Sequence, residues 1–342
     1  MSAPIRVLVV DDSAFARKVL REVLNQPEIE VVGIARDGLE ALEQIALLKP
    51  DVITLDLVMP NLDGVGVLRA LPAEKTPRVV VVSISNQESQ LGAEALQLGA
   101  VTIIQKPTAL ATDQLYELRD ELTSAVKLAA SARSLPPTSA RARVIALPKR
   151  TQVTQCELVV IGTSTGGPQA LTSLLAALPG DFPVPIAIAL HIPFGYTHEL
   201  AKRLDRASAL EVLEATEGLT LQPGRAVLAQ GGFHLKLSRA RSGLYARIDS
   251  EPANEPHAPS VNVLFESAVE RVGSHVLGVV LTGMGNDGLR GAHRIHGAGG
   301  HILTEAEASC VVYGMPSVVK EAGLSQAEAP LQSMAALIVS SI

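Results

Sequence analysis

Two doubly wound α/β units joined by a polar tether are what this 342-residue sequence predicts. Three observations carry that expectation. Short apolar runs rich in Val and Ile recur along the chain, as strands buried on both faces of a parallel sheet require. Stretches with helical spacing separate them, which is the alternation of an open sheet with helices on both sides. Midway, a stretch rich in Ser, Ala, Pro and Arg breaks the rhythm. These features place the first unit at 1–126, the tether at 127–155 and the second unit at 156–342.

In the first unit, strands are expected over 5–10, 30–34, 51–55, 79–82 and 101–104. Helices are expected over 14–25, 37–48, 64–71, 88–98 and 110–126. Such a run of five β–α units with short joints closes into one parallel sheet. From 127 to 155 the charged residues are Lys127, Arg133, Arg141, Arg143, Lys149 and Arg150, with no acid among them. That segment reads as a solvated tether, helical at its start. In the second unit, strands are expected over 157–161, 185–190, 210–214, 225–229, 233–237, 244–248, 276–281 and 300–303. Helices are expected over 167–178, 196–206, 262–271 and 331–340. The 225–248 portion reads as a meander or hairpin set into the α/β unit.

Composition bounds the function. With 47% hydrophobic and 19% charged residues there is apolar material for two cores. No run approaches the roughly 18 uncharged apolar residues of a membrane span, so direct membrane insertion is not expected. The opening Met1-Ser2-Ala3-Pro4-Ile5-Arg6 enters a strand pattern without a signal-peptide layout. Cys156 and Cys310 are too few for a disulfide framework or a zinc site. A cytoplasmic setting follows as the expectation. The formal charge of −6 argues against a dedicated nucleic-acid binder.

A first constellation lies in the first unit. Asp11 and Asp12 stand just past the first expected strand, Asp56 ends the third, Ser83 the fourth and Lys106 the fifth, before Pro107. An open parallel sheet gathers its ligand site at those strand ends. A lone Asp there is usually a helix cap. Five such residues, gathered at four strand ends, are a set. Three carboxylates together require a cation, and Mg²⁺ takes hard oxygen ligands beside phosphate. Asp11, Asp12 and Asp56 are its candidate ligands. Asp56 is the candidate nucleophile toward a phosphoryl group, and Ser83 and Lys106 would bind the phosphoryl oxygens. The set resembles the receiver domain of bacterial response regulators, and Leu57-Val58-Met59-Pro60 with Asp63-Gly64 resembles the loop after that family's phosphorylated Asp. The resemblance implies a flavodoxin-like five-stranded fold, a histidine kinase as phosphodonor and Mg²⁺ for phosphorylation. Ile103 stands where receivers carry an aromatic switch residue.

A second constellation lies beyond the tether. Gly162-Thr163-Ser164-Thr165-Gly166 satisfies G-x-S-x-G between an expected strand and helix, which presents a serine above a sheet. The same turn also suits phosphate, so the motif needs partners. His191 follows the strand 185–190, and Asp287 follows 276–281. Ser164 as nucleophile, His191 as base and Asp287 as its orienter then share one sheet edge. His234, His257, His293, His296 and His301 lack that placement, and His198 falls inside an expected helix. The order Ser, His, Asp differs from the Ser, Asp, His order of α/β-hydrolases.

Gly162 to Gly167, His191-Ile192-Pro193, Pro259 to Phe265, Leu281 to Gly288 and Gly314-Met315-Pro316 resemble the catalytic domain of the CheB family of chemotaxis methylesterases. With the receiver resemblance ahead of it, nearly the whole chain is covered. The resemblance implies phosphorylation-activated hydrolysis of glutamate methyl esters on chemoreceptors, deamidation of receptor glutamines, and no cofactor for the ester step. It also implies the Met284 backbone N–H as oxyanion donor. Three departures stand out: Asn262 in place of a common Asp, Leu289 in place of Ala, and Thr304-Glu305-Ala306-Glu307 in place of Ala-Gln-Asp-Glu. Two other functions compete. A silent receptor-docking module would hydrolyse nothing. A DNA-binding output would need a shorter, more basic second half.

Overall fold

The chain divides into two units, Met1–Ala132 and Arg133–Ile342. The computed structural model describes residues 3–72, 77–83, 89–106, 112–132 and 156–342. Pro107 and the expected tether beyond Ala132 lie outside the described residues.

The first unit alternates β1 (Ile5–Val10), α1 (Ala14–Val23), β2 (Ile29–Ala35), α2 (Gly38–Leu48), β3 (Val52–Leu55), α3 (Gly64–Ala70), β4 (Arg78–Ser83), α4 (Ser89–Gln97), β5 (Thr102–Gln105) and α5 (Thr112–Ser131). The strands pair in parallel in the order β2-β1-β3-β4-β5. Every residue of β3 is buried, as a strand covered on both faces must be. Ser13, Asp37 and Asp63 cap α1, α2 and α3 by accepting from Ala16, Glu40 and Gly66 backbone N–H groups. The helix α5 runs past its expected end at 126 because Ala125, Val126 and Ala129 continue its buried stripe. The strand order reverses between β1 and β3, and that crevice is where doubly wound sheets hold ligands.

The second unit contains β6 (Leu158–Thr163), α6 (Gly167–Ala177), β7 (Ile186–Leu190), α7 (Thr197–Ala207), β8 (Glu211–Glu214), β9 (Thr220–Leu221), β10 (Arg225–Leu228), β11 (His234–Ala240), β12 (Gly243–Asp249), α8 (Val261–Val272), β13 (Val276–Val280), α9 (Leu289–Gly297), β14 (His301–Glu305), α10 (Met315–Glu321), β15 (Ala327–Ala329) and α11 (Leu331–Ser340). Seven strands form a parallel sheet in the order β15-β14-β13-β6-β7-β10-β8. The strand β10 corrects the meander expected over 225–248. It sits inside the parallel sheet between β7 and β8, with Ala226, Val227 and Leu228 fully buried. A hairpin strand would have kept one face wet. The hairpin expectation holds for β11 and β12, but β9 joins them into a three-stranded antiparallel sheet.

Helix α8 packs between the two sheets. Its Phe265, Leu264 and Ala268 share one core with Val160 of β6, Ala187 of β7 and Leu235 of β11. Ser267 Oγ accepts the Leu237 N–H at 2.7 Å, and Arg271 Nε donates to the Leu237 carbonyl at 2.9 Å. Those bonds fix α8 on β11. Among the described residues no helix is long and apolar enough to cross a membrane.

Candidate active site

Ser164 is the residue after β6, at the turn into α6. Its N–H donates to the Thr282 carbonyl at 3.0 Å, and its carbonyl accepts the Gly167 N–H at 2.8 Å, so the turn is held from both sides. Gly166 adopts φ +81°, and a Cβ there would lie 2.6 Å from Val311. Gly166 gives α6 no side-chain cap, and the positive end of that helix's dipole stands beside the serine turn. Across from Ser164 runs the segment after β13. A Cβ on Gly283 would lie 2.8 Å from Ser164 Cβ, so only glycine permits this approach. The Met284 N–H, next in the chain, has no acceptor among the described residues.

His191 is the residue after β7. The strands β6 and β7 pair in register, Thr163 opposite Leu190, so Ser164 and His191 leave adjacent strand ends together. The His191 N–H donates to the Thr163 carbonyl at 3.2 Å. Parallel strands lie about 4.8 Å apart, so the two residues stand at neighbouring strand ends. His191 Nε2 lies 2.8 Å from Asp287 Oδ2. That contact leaves Nδ1 as the ring nitrogen not engaged by Asp287.

Asp287 comes from the loop between β13 and α9, on the opposite flank of β6 from β7. What holds it is the start of α8. Oδ2 accepts the Val261 N–H at 2.7 Å, and Oδ1 accepts the Asn262 N–H at 2.9 Å and the Ser260 hydroxyl at 3.0 Å. The carboxylate therefore sits on a helix N-terminus, where negative charge is favoured. Burial pushes its pKa up, but the His191 hydrogen bond and charge and the Asn262 and Val261 N–H groups outweigh that. The result is a fall from 3.8 to about 2. A pKa lower in the folded state stabilises the fold above the unfolded value and stops doing so as pH falls through the folded one. The window is therefore from about pH 4 down to about pH 2, and the contribution lost across it is about 2 kcal/mol. Urea unfolding of wild type and Asp287→Asn through that window should show the stability gap narrowing by that amount.

Sequence reasoning did not anticipate Ser260 and Asn262 as partners of Asp287. Ser260 caps α8, accepting the Val263 N–H, and donates to Asp287. Asn262 Oδ1 accepts the N–H groups of Gly288 at 3.0 Å and Gly291 at 2.8 Å, which fixes the Asp287 loop. A neutral amide does this without adding a second buried carboxylate beside Asp287. The prior signals were the capping serine before an apolar run and the resemblance of Pro259 to Phe265, neither of which said that the two residues hold Asp287. His257 stacks on His191, ring centroids 4.0 Å apart. His234 is buried, its Nδ1 accepting the Ser260 N–H. His293, His296 and His301 are exposed. His198 pairs with Glu214, and Asp249 with Lys236 and Arg247.

In the first unit, Asp11, Asp12 and Asp56 bring one carboxylate oxygen each within 4.8 Å of one another. Lys106 Nζ lies 2.7 Å from Asp11 and 2.6 Å from Asp56. Burial works to lower the Lys106 pKa, but Asp56 and Asp11 outweigh it and raise it. One ammonium faces three carboxylates, so a surplus of negative charge on hard oxygens remains, which suits a small divalent cation. Ser83 is buried at the end of β4, and its carbonyl accepts the Lys106 N–H at 2.7 Å. All five expected residues thus meet at one sheet edge. Ile103 is buried in β5.

Fold and site together define a response regulator whose output unit is a hydrolase built on a parallel α/β sheet. The CheB methylesterase family matches residues 159–338, and the response regulator receiver domain matches 7–118. The chain is 59% identical to protein-glutamate methylesterase/protein-glutamine glutaminase 5 of Myxococcus xanthus (strain DK1622), over 98% of this chain and 97% of that one. It is 42% identical to the protein-glutamate methylesterase/protein-glutamine glutaminase of Symbiobacterium thermophilum, over 99% of this chain and 97% of that one. The crystal structure of the Thermotoga maritima CheB methylesterase catalytic domain superposes with a TM-score of 0.53 at 36% identity, covering 55% of this chain and 99% of that one. This chain belongs to the CheB methylesterase family.

Proposed function

We propose that this protein hydrolyses glutamate methyl esters on chemoreceptors, and deamidates receptor glutamines, under control of phosphorylation at Asp56. The observation that carries the hydrolytic reading is the 2.8 Å bond from Asp287 to His191, at the strand end beside Ser164. Ser164 Oγ attacks the ester carbonyl while His191 takes its proton, and Asp287 stabilises the imidazolium. The carbonyl oxygen becomes an oxyanion facing the Met284 N–H and the α6 N-terminus. His191 returns the proton to the leaving methoxide, and methanol departs. Water, deprotonated by His191, then cleaves the acyl-serine to give the glutamate carboxylate. With a glutamine side chain the leaving group is ammonia.

On the receiver, the Asp56 carboxylate accepts a phosphoryl group from a histidine kinase. Mg²⁺ held by Asp11, Asp12 and Asp56 would supply charge neutralisation at the transferring phosphoryl group. Lys106 shifts from the Asp56 carboxylate to a phosphoryl oxygen, and Ser83 offers a second contact. No cofactor enters the ester step. The protein works in the cytoplasm, without inserting into the membrane and without nucleic acid. The proposed domains are 1–126, 127–155 and 156–342, with the last helix of the first running on to Ser131.

The test is methanol release from methylated receptor membranes, with and without a small phosphodonor and Mg²⁺. Wild type should release methanol and accelerate several-fold with the phosphodonor. Asp56→Asn should hold the basal rate in both conditions. Acceleration of Asp56→Asn equal to that of wild type would remove Asp56 as the acceptor, and no methanol from wild type would remove the esterase reading.

A further inference from the structure

Behind the serine lies a buried carboxyl group to which the reaction above gives no role. Glu305 ends β14 and is fully buried. Its Oε2 accepts the Thr282 N–H at 2.8 Å, and its Oε1 accepts the Ser309 hydroxyl at 2.9 Å. Thr282 is the junction of the site. Its carbonyl accepts the Ser164 N–H at 3.0 Å and the Thr163 hydroxyl at 2.8 Å. Its own hydroxyl lies 3.0 Å from the Thr165 carbonyl and accepts the Val312 N–H at 3.0 Å. Gly283 and Met284 follow it. One peptide unit therefore separates the Glu305 carboxyl from the segment facing Ser164.

We propose that Glu305 is a positioning residue: its carboxylate holds the Thr282 amide, and through it the Gly283–Met284 segment, in register with Ser164, and gaining a proton loosens that hold. The inference rests on the esterase reading above. Two features support a titrating anchor. First, no cation pairs with Glu305 among the described residues. Of the elements packed on β14, β13 and α11 carry no titratable group, and β15 carries Glu328. Helix α10 carries Lys320 and Glu321, and α9 carries Arg290, His293, Arg294 and His296. All of these are exposed, as is Glu307 in the next turn. Among the described residues Cys310 is a titratable neighbour, its thiol 3.9 Å from the Glu305 carbonyl. Burial accordingly raises the Glu305 pKa, against the Thr282, Ser309 and Cys310 bonds that lower it.

Second, both protonation states can be satisfied. Ionised, Glu305 accepts from Thr282 and Ser309. Protonated, it can donate to Ser309 Oγ, which turns its hydrogen to the Ala306 carbonyl 3.2 Å away. The Thr282 bond persists in both, but only the ionised form makes it charge-assisted. A glutamine keeps the acceptor and cannot ionise.

The test compares the full-length wild type with Glu305→Gln and the apolar Glu305→Leu in methyl-ester hydrolysis across about pH 5.5 to 9. Glu305→Leu should lose about ten- to a hundredfold in kcat with KM nearly unchanged, since a displaced oxyanion donor acts on the transition state. Glu305→Gln should recover most of the kcat lost in Glu305→Leu but stay below wild type at high pH, and the ratio of wild type to Glu305→Gln should fall toward one as pH falls. Amide hydrogen exchange at Thr282 provides a readout independent of activity. It should be faster in Glu305→Leu than in wild type or Glu305→Gln. Wild-type kcat and wild-type exchange in Glu305→Leu would overturn the positioning role. A pH-independent ratio of wild type to Glu305→Gln would overturn the ionisation. If wild type hydrolysed no methyl ester, the esterase reading would fail and the exchange data alone would decide on Glu305.

Discussion

Ser164→Ala should abolish ester hydrolysis, with a loss on the order of 10⁶ in kcat, the scale reached when a serine nucleophile is deleted from a hydrolase. The change removes one oxygen and leaves the turn intact, because the bonds that hold it run through the Ser164 backbone to Thr282 and Gly167. Melting temperature should therefore stay within a few degrees of wild type. Substrate should still bind, so KM or a direct binding measurement separates lost chemistry from lost recognition. His191→Ala should fall nearly as far, since the two groups act as a unit. Near-wild-type turnover by Ser164→Ala would end the proposed mechanism.

Asp287→Asn should cost about 10⁴ in kcat while leaving a measurable residual rate. Two losses combine. An amide cannot stabilise the imidazolium that forms as Ser164 gives up its proton. The substituted amide also mismatches its site. One carboxylate oxygen accepts from both Val261 N–H and His191, and the other from Ser260 and Asn262. Placing an NH₂ at the first position sets donor against donor at the start of α8. An intact His191 with the wrong tautomer and a loosened helix end is the expected state. A rate equal to wild type across neutral pH would remove Asp287 from the centre.

The strand-end logic reached most of the residues that the structure gathers into the candidate site. Asp11, Asp56, Ser83, Lys106, Ser164 and His191 each follow or end a strand that its own Val- and Ile-rich run announces. The receiver sheet was legible for the same reason. Where the reading failed, the information was tertiary. The strand β10 looks like the first arm of a hairpin because Gly231-Gly232 and another apolar run follow it. Only its burial on both faces reveals the parallel neighbours. The strand β15 is three residues long and carries no periodicity to detect. Asp287 lies several residues beyond β13, and nothing local says that the start of α8 receives it. Glu305 was visible as a residue in a motif, but its contact with Thr282 exists only once β13 and β14 are paired.

Helix α8 spans 12 residues, which at 1.5 Å each makes a rod about 18 Å long. Ser267 and Arg271 rivet its far half to β11, while its first turn grips the Asp287 carboxylate. The near end is tied to the same strand, because His234 of β11 accepts the Ser260 N–H at 3.2 Å. Rod and strand therefore move together, and a displacement of about 1 Å at the first turn is of a size that can cost about a hundredfold in rate. The outlying antiparallel sheet, which touches no reacting atom, thereby gains mechanical leverage over the proton transfer. Stiffness in that sheet is therefore expected to bear on turnover through α8 alone.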